Sequence, residues 1–295
     1  MIKSLRFAPF LLLFLIASCE GKRETLPAYI AIDKINFDYK NVSLVGNGGT
    51  AITDAWIFDN DNLLGVFELP AVIAVASEGT HKLTVAAGIK VNGISGTREA
   101  YPYYEKWSND ITLSPLDTVH VTPKVSYYLE TGISFKEEFQ DVVLAIDTTS
   151  SSDVALERVF IENEPPYLDA YVGKVVITHT APGFKAYTKN LFMVPTTVTQ
   201  PIYLELDFKC NQDFVIGYII QAPSTGTLEN ELISLRSTVV NGDMKWKHIY
   251  IDLTDQFAGR VDATGFGISF TAFYDSLNPD GGIIFMDNVK VVNQQ

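Results

Sequence analysis

Tyr203-Leu204-Glu205-Leu206-Asp207-Phe208-Lys209-Cys210 alternates apolar and polar residues without a break. A period of two marks a β-strand with one buried face, here with Leu204, Leu206, Phe208 and Cys210 pointing in. The pattern spreads outward from it. Val172 to Thr178, Phe214 to Ile220, Trp246 to Leu253, Phe266 to Ala272 and Ile283 to Val292 all read as strands. Turn residues separate them at the spacing of an all-β sandwich.

The first half uses other residues to the same end. Ile30, Ile32, Ile35 and Phe37 start an apolar strand, and Gly46-Asn47-Gly48-Gly49 is a turn signal. Asp59-Asn60-Asp61-Asn62 reads as a hairpin turn between Ala51 to Phe58 and Leu63 to Leu69. Beyond the turn Glu78-Gly79-Thr80, the residues His81, Leu83, Val85 and Ala87 share one side of a strand. Val119 to Leu129 is the last strand-like segment before Glu130-Thr131-Gly132 interrupts the run. We therefore expect two β-sandwich domains, residues 28–130 and 131–295.

Two resemblances sharpen this. DAWIFDNDNLLGVFELPAVIAVASEGTHKLTVAAG (54–88) resembles the PEGA-type surface domain, although the PEGA tetrapeptide itself is absent. That resemblance implies an immunoglobulin-like sandwich and no particular function. WKHIYIDLT (246–254), GFGISFTAF (265–273) and GGIIFMDNVKVV (281–292) resemble the closing strands of jelly-roll carbohydrate-binding modules and galactose-binding-like domains. In those modules an aspartate of the last strand helps hold a structural Ca2+ with acids of the first strand. The resemblance therefore implies calcium on Asp287 with Glu137 or Glu138, oxygen ligands of the kind that ion takes. The alternative is that Asp287 hydrogen-bonds a neighbouring loop. By parity with Ile283, Phe285, Val289 and Val291 we place it on the core side of its strand.

The N-terminus gives an address. Lys3 and Arg6 precede the apolar run Phe7 to Ile16, which is too short to span a bilayer. Ile16-Ala17-Ser18-Cys19 then resembles the lipobox of bacterial lipoproteins. That implies a signal peptide at 1–18, acylation of Cys19 and a polar tether over 19–27. Acyl chains, at about 0.8 kcal/mol per buried CH2, anchor a protein without spanning the membrane. Lys22 and Glu24 resemble in part the surface-export signals of Bacteroidetes lipoproteins, so an outer-membrane protein at the cell surface is expected. Loss of residues 1–18 moves the net charge from −13 to −15. So acidic a chain is repelled by phosphate backbones, which argues against nucleic acid. With Cys210 as the remaining cysteine, neither an intramolecular disulfide nor a cysteine metal cluster can form.

Two aromatic groups are candidates for binding. Tyr101, Tyr103, Tyr104 and Trp107 crowd seven residues around Pro102, as in recognition loops, or as in a seam between domains. Trp246, His248 and Tyr250 share one parity while Ile249, Ile251 and Leu253 take the other, so the rings would line an outer sheet face. Such a row suits sugar stacking, a protein partner, or burial by a loop or the other domain. For catalysis the signs are poor. Glu205-Leu206-Asp207-Phe208 resembles the start of the acid–x–acid–x–acid signature of jelly-roll endo-glucanases, but Lys209 and Cys210 stand where its last acid belongs. His81, His120, His179 and His248 lack metal-ligand spacing, and no GxSxG, P-loop or GxGxxG occurs. The expected function is non-enzymatic: an accessory subunit of an outer-membrane complex, bound to a β-barrel partner, or alternatively a glycan-binding lipoprotein using its jelly roll.

Overall fold

The computed structural model describes residues 26–40, 46, 48–162, 171–196 and 201–294. The signal peptide, Cys19 and the tether up to residue 25 lie outside the described residues. The remainder is all-β. Its first half holds β1 (Ala28–Ile32), β2 (Asn36–Phe37), β3 (Asp54–Asp59), β4 (Asn62–Glu68), β5 (Ala71–Val75), β6 (Gly79–Lys90), β7 (Arg98–Ala100), β8 (Trp107–Leu113), β9 (Thr118–His120) and β10 (Lys124–Val125). Its second half holds β11 (Thr131–Glu137), β12 (Ile146–Thr148), β13 (Glu157–Phe160), β14 (Tyr171–Ile177), β15 (Gly183–Thr188), β16 (Tyr203–Cys210), β17 (Phe214–Ala222) and β18 (Gly226–Leu235). After these come β19 (Val239–Val240), β20 (Asp243–Met244), β21 (Lys247–Asp252), one helical turn at Thr254–Phe257, β22 (Gly265–Phe273) and β23 (Gly282–Gln294).

In the first half, β4-β3-β6-β7 form a sheet with β8 also paired to β6, and β5-β1-β9 form a second. There β1 runs antiparallel to β5 and parallel to β9. Asn60 and Asp61 adopt positive φ, as the tight hairpin between β3 and β4 requires. Ile30, Ile57, Ile73, Leu83, Val85 and Ile111 fill the space inside.

The second half is a sandwich of two sheets, β13-β14-β23-β16-β21 and β12-β15-β22-β17-β18. The long β23 takes β14 along its first part and β11 along its last. Between the sheets lie Leu204, Leu206, Phe208 and Cys210 of β16, with Ile249, Ile251, Phe266, Ile268, Phe270, Ile284, Met286, Val289 and Val291. Each fully buried side chain of this kind is worth about 1.5–3 kcal/mol. Burial also pushes the Cys210 thiol up to about 11, so it is an inert core residue.

One irregularity overturns a parity reading. The core residues of β23 are Ile284 and Met286, then Val289 and Val291. Two residues separate Met286 from Val289, and Asn288 has φ 51°. The strand bulges there, and the register with β16 shifts between Glu205 and Asp207. Asp287 therefore sits opposite Asp207 and shares its outer face, not the core side expected from strict alternation. It is nevertheless fully buried.

Candidate functional site

The face that Asp287 shares with Asp207 is covered by the other half of the chain. Tyr203, Glu205 and Asp207 of β16, His248 and Tyr250 of β21 and Lys290 of β23 occupy the outer face of the first sheet, and the N-terminal half covers them. The side chains of Glu205, Asp207, His248 and Lys290 are 0–4% exposed. An ionised group so placed must be paired. Glu205 accepts hydrogen bonds from the Tyr101 hydroxyl and, at 2.6 Å, from the Tyr127 hydroxyl. Its Oε2 also lies 3.4 Å from both His248 Nε2 and Lys290 Nζ. Burial alone would raise this carboxyl, but Lys290, His248 and the Tyr101 hydroxyl hold it down at about 2. Asp207 faces His248 Nδ1 at 2.9 Å and accepts from Asn288 Nδ2 at 3.0 Å and from the Gly49 amide at 2.8 Å. Burial pulls the His248 imidazole down, and the carboxylates of Asp207 and Glu205 more than reverse that.

Tyrosines from both halves close the seam. The Tyr104 and Tyr250 hydroxyls are 2.9 Å apart, and Tyr101 packs on Tyr104, Tyr203 and Tyr250 at 4.5, 5.1 and 4.8 Å between ring centres. These are ordinary tilted and edge-to-face separations for aromatic pairs. The Tyr203 hydroxyl donates to Glu99, and Tyr103 donates to the Pro201 carbonyl. Backbone groups join as well, through an isolated bridge between Val91 and Tyr250. The two aromatic groups picked out in the sequence thus cover one another. Tyr101, Tyr103, Tyr104 and Tyr250 are 1–6% exposed, which corrects the expectation of an outward-facing surface at these positions. Burial, followed by the nearby Glu205 charge, raises the phenol of Tyr101 well above its ordinary value, and that of Tyr250 likewise. Trp107 is half-buried against the first core. Trp246 is half-buried beside Phe285, with the Lys209 ammonium 5.0 Å over its ring.

The three residues expected to hold calcium each make hydrogen bonds or ion pairs within the protein. Glu137 accepts hydrogen bonds from the Phe139 amide at 2.6 Å and from the Ala145 amide, and burial raises its carboxyl. Glu138 pairs with Lys136 at 3.0 Å, and Asp287 accepts from the Asn288 amide at 2.8 Å. Among the described residues no group of three His, Cys, Asp or Glu side chains could hold a metal ion.

The opposite outer face is open in part, beyond the stretch where Leu191 packs over Gly265 and Gly267. In β22 the core takes Phe266, Ile268, Phe270 and Ala272, which leaves Gly267, Ser269, Thr271 and Phe273 facing out. Small residues here create a trough. Gly217 of β17 lies beside Ser269, and a Cβ on it would come within 2.5 Å of the Asn230 carbonyl and 2.6 Å of Ser269 Oγ. Together with Lys185, Val215, Glu229 and Glu231 these residues line a groove of about 340 Å3. Lys185 and Glu229 pair across it at 2.9 Å. Phe273 stands at its end, 69% exposed. The sequence held a signal for this site, the small outward residues of GFGISFTAF ending in an aromatic.

No family model matches the chain, and no curated protein sequence matches it. Solved structures similar to it include the carbohydrate-binding and catalytic modules of Clostridium thermocellum endo-1,4-β-D-xylanase 10B in complex with xylohexaose. Identity is 14% over 55% of this chain, at a TM-score of 0.39, and the match spans 28% of that longer chain. A family 30 carbohydrate-binding module of a C. thermocellum cellulosomal cellulase is 15% identical over 55% of this chain and 97% of its own, at a TM-score of 0.34. A structure of carbohydrate-binding modules from the β-sandwich superfamily is 14% identical over 91% of this chain and 98% of its own, at a TM-score of 0.37.

Proposed function

We propose that this chain is a lipid-anchored protein of the outer-membrane surface that binds glycans in the open groove of its second sandwich. The single observation that carries the reading is the groove itself. An exposed aromatic ring, Phe273, stands beside hydroxyl, amide, ammonium and carboxylate groups over a floor deepened by Gly217. A sugar offers the complement of that set, with apolar ring faces for the aromatic and hydroxyls that both donate and accept. Binding without cleavage fits the fate of the acids in the glucanase-like stretch, since Glu205 and Asp207 are sealed under the first half and out of reach of substrate. The accessory-subunit reading loses its named surface, because Tyr101, Tyr103 and Tyr104 are committed to the seam. An acylated Cys19 would hold the groove near the cell surface.

The test is a glycan array on the lipid-free protein followed by titration calorimetry on the best ligand. Phe273→Ala is expected to weaken binding about tenfold or more, in keeping with about 1–3 kcal/mol for an aromatic stacking platform. Trp246→Ala is expected to leave it unchanged. Binding that follows Trp246 and ignores Phe273 would move the site to the other sheet, and an array without a single ligand would overturn the reading.

A further inference from the structure

The end of the first half that carries the β3–β4 hairpin holds a group of side chains that the groove does not use. Asp59 closes β3, His81 lies near the start of β6, and Ser77 precedes the turn that leads into β6. His81 Nδ1 is 2.8 and 3.0 Å from the two carboxylate oxygens of Asp59. Its Nε2 is 3.2 Å from Ser77 Oγ. With the Nδ1 proton held by Asp59, Nε2 turns its lone pair to the serine hydroxyl, which donates to it. Hydroxyl, imidazole and carboxylate thus stand in the order nucleophile, base, orienting acid, an arrangement recognised by geometry and not by sequence spacing. Two further features fit this order. The Glu78 carbonyl oxygen lies 3.3 Å from Nε2, so an imidazolium formed by taking the serine proton finds an acceptor at once. Gly79 has φ 99°, and a Cβ placed on it would meet nothing within 4 Å, so the turn that follows the half-buried serine is open to solvent. The imidazole itself is nearly buried, with 10% of its side chain exposed, which shields the pair from competing water.

We propose that Ser77, His81 and Asp59 form an acyl-transfer site that takes small esters delivered from solvent. As Ser77 Oγ bonds to the ester carbonyl carbon, its proton passes to His81 Nε2. The carbon–oxygen bond to the alcohol then breaks, and the departing alcohol takes that proton. Water attacks the acyl-serine by the same route, releasing the carboxylic acid and restoring Ser77. Asp59 is a positioning residue that fixes the imidazole tautomer.

The experiment treats the full chain with a fluorophosphonate, which bonds phosphorus to an activated serine oxygen and expels fluoride, and locates the adduct by peptide mass spectrometry. Hydrolysis of p-nitrophenyl acetate is followed in parallel. The expected result is one dominant adduct, on Ser77, absent in Ser77→Ala and formed at least 100-fold more slowly in His81→Gln, the usual worth of a general base. Asp59→Asn is expected to slow both reactions about tenfold or more at an unchanged melting temperature. That separates positioning from folding should the buried His81 variant prove unstable. An adduct spread evenly over surface serines, or equal rates in wild type and Asp59→Asn, would overturn the proposal and leave the three side chains as a turn clasp.

Discussion

The two outer faces of the second sandwich obey the same alternation and end as opposites. On the β16-β21-β23 side the outward residues are tyrosines and paired charges, because the first half of the chain lies on them and a buried charge needs a protein partner. On the β15-β22-β17 side they are glycine, serine and threonine, because solvent or a ligand completes the contacts. The first face resembles an interior cut open, and the second a surface with a trough in it. Outward parity therefore does not mean exposure. What distinguishes the two faces is whether another part of the chain covers the outward residues, since charges are paired on both.

Glu205→Ala breaks this comparison most severely. It would take the Glu205 carboxylate from the buried Lys290 and leave His248 with Asp207 alone, a change of the kind that costs about 3–5 kcal/mol. Chemical denaturation is expected to show that loss, and limited proteolysis should cut the connection between the two halves faster. An unchanged midpoint would mean the seam is open in solution.

Tyr127→Phe removes one hydrogen bond to the same carboxylate while keeping the ring, for an expected loss of about 1.5–3 kcal/mol. On the open face Gly217→Ala is expected to cost about 1–3 kcal/mol by crowding the Asn230 carbonyl, and to abolish ligand binding as well. Glycan affinity that survives this change would place the ligand outside the trough.

The seam also predicts a pH profile. The Glu205 carboxyl falls on folding from an ordinary 4.5 to about 2, so its contribution is complete above 4.5 and lost as pH drops toward 2. The His248 imidazole rises on folding, so its contribution is complete below its ordinary 6.5 and lost as pH climbs through the raised value. Greatest stability is expected between these limits, in mildly acidic solution. Melting curves across pH should show the alkaline limb flattening in His248→Gln.

The smallest effect belongs to Lys185→Met. Its pair with Glu229 is over a third exposed on both sides, so stability should change by less than about 1 kcal/mol. Any large change would show that the groove is more closed than its walls imply.

Much of this architecture is legible in the chain itself. The alternation in 203–210, 246–253 and 265–273 specifies strands and their buried sides, since a one-residue slip would turn a whole hydrophobic set to solvent. The hairpin at 59–62 is equally explicit, because its turn needs residues that tolerate positive φ. Strict counting fails at Asp287, where an extra residue at Asn288 changes the side on which the strand continues. A bulge is a property of two paired strands, and one strand's pattern does not display it.

The sequence by itself determined that this is an all-β chain with two hydrophobic cores and an acidic surface. Only the tertiary structure decided that Tyr101, Tyr104, Tyr127 and Tyr250 meet around Glu205, that Gly217 and Ser269 floor an open groove, and that Ser77, His81 and Asp59 stand in hydrogen-bonding order. The physical reason is range. Alternation and turn chemistry act over neighbouring residues and are written along the chain. Burial of a charge depends on partners as much as 158 residues away, as between Gly49 and Asp207, and these become neighbours only when the two halves pack.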